Sequence, residues 1–401
     1  MASKPPEDRV LILTQSFIKY RGDILSKHIF VAAKLLIGAN WQVSVLAPHQ
    51  KGLARHEQIL GVEIFRFRYF SEKWERLAYT GRMQEMVVKN PFNLFVLFPL
   101  FLYRFLHTGS QLALKKRPSC IHAHWWIPTG VLGCVVSGLR NLPLLVTLHG
   151  TDVRLIGTNP LFSALAKWVF KHAAGITVVS EFIKAQLTGK LGVAPDKVFV
   201  LPMPIDPEKI HRMETPVRER KMILCVARLT RQKDLATLIR AFHLVLQKRD
   251  KLDLVIIGEG PEKANLQALI RDLGLEKEVF LYDLMPQESL NQYYNKCHMV
   301  ILPSIKEGFG LVVVEGQLCG KPVIGADSGG IPEIIEHGKT GLLFPPGDYE
   351  SLASAVEEVL GDRTLASRLS EAGYRSAEAR FSQEAFLKKY VEVLRWIQRR
   401  Y

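Results

Sequence analysis

The chain has 401 residues, 53 lysines and arginines against 39 aspartates and glutamates, and a hydrophobic share of 48%. That length predicts two or three domains, each able to bury an ordinary core, and a charged share of 23% with 9% aromatics excludes a disordered, collagen-like or low-complexity chain. Five cysteines, odd in number and widely spaced with no C-x-x-C, argue against a disulfide framework or zinc ribbon and for a reducing compartment.

Residues 1–9 are polar and lack the form of a secretory leader, which predicts a cytoplasmic protein. Short β-branched runs follow at 10–14, 43–47, 62–67, 120–122, 144–148, 176–179 and 198–201, then at 222–227, 254–257, 279–281, 299–302, 322–325 and 341–344. Amphipathic stretches of helical length lie between them, at 24–37, 235–247 and 352–360 among others. Strand–helix alternation through both halves predicts two doubly wound parallel sheets, with 202–220, rich in proline and charge, as the linker. The predicted domains are 1–205 and 206–380, followed by a helical segment at 381–401.

The two halves differ in charge. Residues 1–205 hold 25 basic and 11 acidic side chains, whereas 206–401 hold 28 of each. An excess confined to one half points to an anionic partner, nucleic acid or membrane. The stretch 65–117 mixes ten basic residues with many aromatics around the apolar run 94–103, a pattern that suits a bilayer interface better than nucleic acid. The same stretch reads equally as a core helix with a solvated basic flank. Its longest apolar run, 91–106, is interrupted by Asn93 and Arg104 and is too short to span a membrane.

Three clusters carry candidate chemistry, each just past a predicted strand, where such sheets bind ligands. In 303–316, Gly308 and Gly310 allow close backbone approach, and a helix start offers free N–H groups to a phosphate. Glu307 in that loop and Glu315 on the following helix can accept hydrogen bonds from sugar hydroxyls. In 226–234, Arg228 and Lys233 can hold a diphosphate and stabilise charge as it departs. Gly258-Glu259-Gly260 adds a tight turn beside them. In 147–152, His149 can contact a reacting sugar, and Gly22 near the first helix permits close approach of a phosphate. His122 and His124 share one strand face, which with His149 and Asp152 gives a metallohydrolase as a rival reading. No D-x-D occurs.

Taken in order, these residues resemble glycosyltransferase family 4, retaining transferases of GT-B architecture with two Rossmann-like domains facing across a deep cleft. The likeness extends over nearly the whole chain and includes 328–333 and 338–343. It implies that Arg228 and Lys233 bind the diphosphate of a UDP- or GDP-linked donor, Glu315 the ribose hydroxyls and Glu307 the donor sugar. Phe309, Gly310 and Leu311 would contact sugar and phosphate through backbone, with Gly22 and Gly258 at the donor's edge, and His149 would line the reacting centre. Retention in this family is ascribed to front-face attack, so no side chain is assigned as nucleophile. The resemblance implies an acceptor bound by the first domain. The charge of the first half with its aromatic segment points to a glycan or lipid-linked acceptor at the inner face of a membrane, and the lack of D-x-D predicts no metal and no cofactor beyond the nucleotide sugar. The 381–401 helix would cross back to that domain. The chain departs from the family pattern in having one glycine in 20–23, Pro204 and Asp283 at usual glycine positions, and Asp234 after Lys233. A nucleotide-sugar epimerase or phosphorylase of the same architecture, or a non-catalytic subunit that binds membrane or a partner, stays open as an alternative.

Overall fold

The computed structural model describes residues 8–20, 23, 26–79, 83–150, 152–214 and 220–401. They form two compact units: unit 1 takes the described parts of Met1–Val179, Ile183–Pro204 and Phe386–Tyr401, and unit 2 takes Ser180–Phe182 and Ile205–Ala385.

Unit 1 is built on eight strands: β1 (Arg9–Leu13), β2 (Gln42–Pro48), β3 (His56–Ile59), β4 (Val62–Phe67), β5 (Cys120–His124), β6 (Leu144–Leu148), β7 (Gly175–Val178) and β8 (Val198–Val200). Their order is β3-β4-β2-β1-β5-β6-β7-β8, with Val10 of β1 opposite Val43 and Cys120. Central strands such as β6, Leu-Leu-Val-Thr-Leu, are buried throughout because helices cover both faces. The sheet is not wholly parallel, since β3 pairs antiparallel with β4. The sequence gives no β-branched run at His-Glu-Gln-Ile, so the periodicity misses this edge strand. Its signal is the two-residue turn Leu60-Gly61, both at positive φ, as a tight hairpin requires.

The segment 91–106 is helical, a wide turn at Asn93–Leu97 leading into the helix Phe98–Lys116. Phe101 and Phe105 are buried, with ring centroids 5.2 and 4.8 Å from that of Phe67. One face is therefore core, while Phe95 and Tyr103 on the same segment are exposed. No helix among the described residues is long and apolar enough to cross a membrane.

The last helix, Gln383–Arg400, places Phe386, Tyr390, Val393, Leu394 and Ile397 on one buried stripe. That stripe completes the unit 1 core together with Val10, Ile12, Val45, Ile64, Cys120 and Leu145.

Unit 2 has six parallel strands: β9 (Lys221–Val226), β10 (Leu252–Ile257), β11 (Val279–Tyr282), β12 (Met299–Leu302), β13 (Val323–Ala326) and β14 (Leu342–Phe344). Their order is β11-β10-β9-β12-β13-β14. The core joins Ile223, Cys225, Leu254, Ile256 and Ile301 to Leu238 and Phe242 of the helix Leu235–Leu246. The strand order turns at β1/β5 in unit 1 and at β9/β12 in unit 2. Such reversals splay the following loops apart and open a crevice at the carboxyl edge.

Candidate functional site

In unit 2 the two loops that leave the β9/β12 switch point are tied together. The Ile305 N–H donates to the Gln232 carbonyl at 2.8 Å, and Gln232 Nε2 returns a bond to the Lys306 carbonyl at 2.9 Å. This lacing brings Lys233 Nζ into an ion pair with the Glu307 carboxylate, both side chains 15% exposed. The Gly308 N–H donates to the other Glu307 oxygen at 3.1 Å. Burial pushes the Glu307 carboxyl up, but the Lys233 ammonium outweighs it and holds the group below its ordinary value, so it is ionised at neutral pH.

Arg228 follows β9 and is exposed, a cation not consumed by burial. The loop that carries it is clamped by the glycine turn: the Leu229 N–H donates to the Glu259 carbonyl at 2.8 Å. A Cβ on Gly258 would lie 1.9 Å from the Ala227 carbonyl oxygen, so only glycine fits. Gly258 thus shapes the Arg228 loop through backbone packing. Phe309 is buried against Phe381, ring centroids 5.6 Å apart. Gly310, at φ 103°, turns the chain into the helix Leu311–Leu318, with Leu311 as its first residue. Glu315, one turn further, is buried and accepts from the Tyr294 hydroxyl at 2.6 Å.

In unit 1, His149 follows β6 and belongs to a cluster of imidazoles. His149 Nε2 lies 3.0 Å from His124 Nδ1, and the His28 and Trp125 rings sit 4.7 and 4.9 Å from its own. Asp152 fixes the turn by accepting from the His149 backbone N–H at 3.1 Å. His122 has both ring nitrogens engaged, Nδ1 with Tyr390 Oη at 2.5 Å and Nε2 with Thr147 Oγ1 at 2.6 Å. That leaves His122 no lone pair for a metal, against the His122–His124 pair considered from sequence. Burial lowers His122 to about 3 and His28 to about 4, and holds His124 and His149 well below the usual histidine value. All four are therefore neutral at pH 7. Burial raises the Asp152 carboxyl to about 6. His28 Nε2, His124 Nε2 and His149 Nδ1 are buried without a partner, which leaves hydrogen-bonding capacity for a polar ligand group. Gly22 lies outside the described residues.

Two family models match the chain in succession, Glycosyltransferase Family 4 over residues 25–209 and Glycosyl transferases group 1 over 206–376. The chain belongs to glycosyltransferase family 4. It is 26% identical to the N-acetyl-alpha-D-glucosaminyl L-malate synthase of Bacillus anthracis over 292 residues, 70% of this chain and 75% of that one. Sucrose-phosphate synthase from Thermosynechococcus elongatus superposes with a TM-score of 0.80 at 21% identity, covering 98% of this chain and 100% of that one. Anabaena HepE, solved in complex with UDP and glucose, gives 0.71 at 20% identity over 97% and 99%. These likenesses show the GT-B fold, and this glycosyltransferase is an enzyme of that class.

Several residues of the transferase were not legible from motifs. Tyr294 is the hydroxyl against Glu315, and its sequence signal is only helical spacing with Leu290 in a helix otherwise polar. His28 and Tyr390 join the imidazole cluster from elements remote in sequence, 121 and 241 positions from His149; helical spacing marks Tyr390 as a buried position, but nothing local pairs either residue with the cluster.

Proposed function

We propose that this glycosyltransferase moves a sugar from a nucleotide-diphosphate donor to a hydroxyl acceptor, with retention of anomeric configuration and without a metal. The observation that carries the reading is the laced pair of loops at the unit 2 switch point, which sets Lys233 against Glu307 beside an exposed Arg228. As the bond from sugar to diphosphate breaks, negative charge grows on the leaving phosphate. Arg228, Lys233 and the backbone N–H groups at the start of Leu311–Leu318 are the donors assigned to it. These cations supply the charge that a divalent ion would otherwise bring.

The ionised Glu307 accepts from donor-sugar hydroxyls, and Glu315, oriented by Tyr294, accepts from the ribose. Acceptor binding is assigned to unit 1, where His149 offers a neutral imidazole able to donate or accept a hydrogen bond without adding charge. The positive charge of that unit favours a lipid-linked or otherwise anionic acceptor.

Calorimetry with UDP-, GDP- and ADP-sugars, with and without chelator, tests the donor half. Binding of one nucleotide class, unaffected by chelator and lost in Glu315→Ala, is the expected result. Binding by none, or binding that needs a divalent ion, rejects the assignment. Product anomers read by NMR test retention.

A further inference from the structure

Unit 1 carries a second surface that the donor and acceptor chemistry leaves unused. β4 ends at Phe67, so residues 68–79 leave from the carboxyl edge of the parallel sheet, the edge that β6 presents with His149. The crossover helix Phe98–Lys116 then returns toward β5, which begins at Cys120. Its first residues therefore lie at the carboxyl edge, and Lys115 and Lys116 lie at the other end, about 27 Å along the axis.

At the first end the chain builds an aromatic platform. The Phe92 ring sits 6.0 Å from Phe70 and 5.1 Å from Trp74. Around it Val88, Phe95 and Tyr103 project into solvent, 69%, 75% and 58% exposed, on elements whose inner faces are already packed. Cations belong to the same segments: Arg76 lies 4.9 Å over the Trp74 ring, and Arg104 Nε donates to the Arg68 carbonyl at 3.0 Å. Of the acids here, Glu75 turns inward between His49 at 2.5 Å and Arg68 at 3.5 Å, Glu85 pairs with Lys89, and Glu72 lies 4.0 Å from His49.

We propose that this face, residues 68–79 with 83–107, docks unit 1 on an anionic lipid bilayer. Protruding rings flanked by arginines and lysines match an interface where apolar side chains enter the acyl boundary and cations meet headgroup phosphate. A protein groove would have to receive isolated rings and also neutralise the cations around them. The topology adds a consequence: the docked end is the end that carries His149, so an acceptor anchored in lipid would be presented to the imidazole cluster. The surface rests on the proposed function only for that acceptor class. It narrows the membrane contact within the stretch 65–117 and leaves out Lys115, Lys116 and Arg117, whose end of the helix lies at the opposite edge.

The test is flotation of the intact chain with vesicles of phosphatidylcholine alone or mixed with phosphatidylglycerol. The parent should float with the mixed vesicles only. Phe95→Ser with Tyr103→Ser, both in exposed positions, should weaken binding about tenfold or more, as should Arg76→Glu with Lys89→Glu, while Lys115→Glu should keep it. No flotation of the parent, or flotation of both double variants equal to the parent's, overturns the proposal. A dimer in light scattering that Phe95→Ser dissolves also overturns it, in favour of a second copy on this face. Donor calorimetry on the same preparations separates the readings: donor binding without flotation removes only this surface, and flotation without donor binding removes only the donor assignment.

Discussion

The two units use one architecture and opposite electrostatics. Both place their candidate residues in loops beyond the carboxyl ends of parallel strands. Unit 2 keeps its charges, Lys233 paired with Glu307 and Arg228 exposed, and holds 23 basic against 28 acidic side chains. Unit 1 holds 30 basic against 11 acidic side chains, yet buries His149 and three further imidazoles, all uncharged at pH 7. A departing diphosphate needs cations, whereas an attacking hydroxyl needs a polar site that does not compete for the negative charge. Under the proposed function, this contrast in which groups ionise would be a division of labour between donor and acceptor.

Acid should separate the units most clearly. A histidine held below its unfolded value of about 6.5 contributes nothing to pH dependence above that value, then costs stability as the unfolded chain gains the proton. The loss is about 1.4 kcal/mol per pH unit for each such imidazole, continuing down to its folded value. Asp152 works in the other sense, because a raised carboxyl loses its contribution as pH rises through about 6. One carboxyl relieved does not balance four imidazoles charged. Glu307, held low, keeps its contribution until the pH falls below the ordinary carboxylate range. All six tryptophans lie in unit 1, so fluorescence reads that unit alone. Its transition should begin below pH 6.5, with backbone circular dichroism of unit 2 persisting to lower pH. A single coincident transition would break the contrast.

Lys233→Ala should come next, lowering kcat/KM by about 10²–10³ as one charge on the leaving group is lost. Lys233→Arg should recover part of it. Gly258→Ala introduces a Cβ against the Ala227 carbonyl and should cost unit 2 about 2–4 kcal/mol, visible in urea unfolding while tryptophan fluorescence stays native. Smallest is Tyr294→Phe, which deprives Glu315 of this partner. Donor affinity should fall about fivefold to tenfold by calorimetry, with the unfolding midpoint little changed.

The sequence announced the elements whose signal is local. Buried strands such as β6 and β12 stand out because every residue is apolar or β-branched, and the helix Leu235–Leu246 because its apolar face repeats at helical spacing. The loops with Arg228, Lys233 and Glu307 stood out by following those strands. What escaped depends on long-range partners. β3 has no burial pattern of its own and exists because β4 offers it an edge. The Tyr294–Glu315 bond joins two helices, and the His28–His149 and His122–Tyr390 pairings join segments that nothing local relates. The segment 91–106 resisted a single assignment from sequence because its apolar residues serve two faces, one against Phe67 and one toward solvent.

The return of the final helix to the unit 1 core has a consequence for synthesis. The hydrogen bond from Tyr390 to His122 spans 268 positions, and Phe386, Leu394 and Ile397 fill a core whose strands were made first. Unit 2 is almost contiguous, so its hydrophobic core is complete by residue 385, before the stripe that finishes unit 1 has left the ribosome. The half of the enzyme translated first is therefore the half that matures last. Until then it waits with apolar surface open, a window in which a chaperone or an early membrane encounter would matter most.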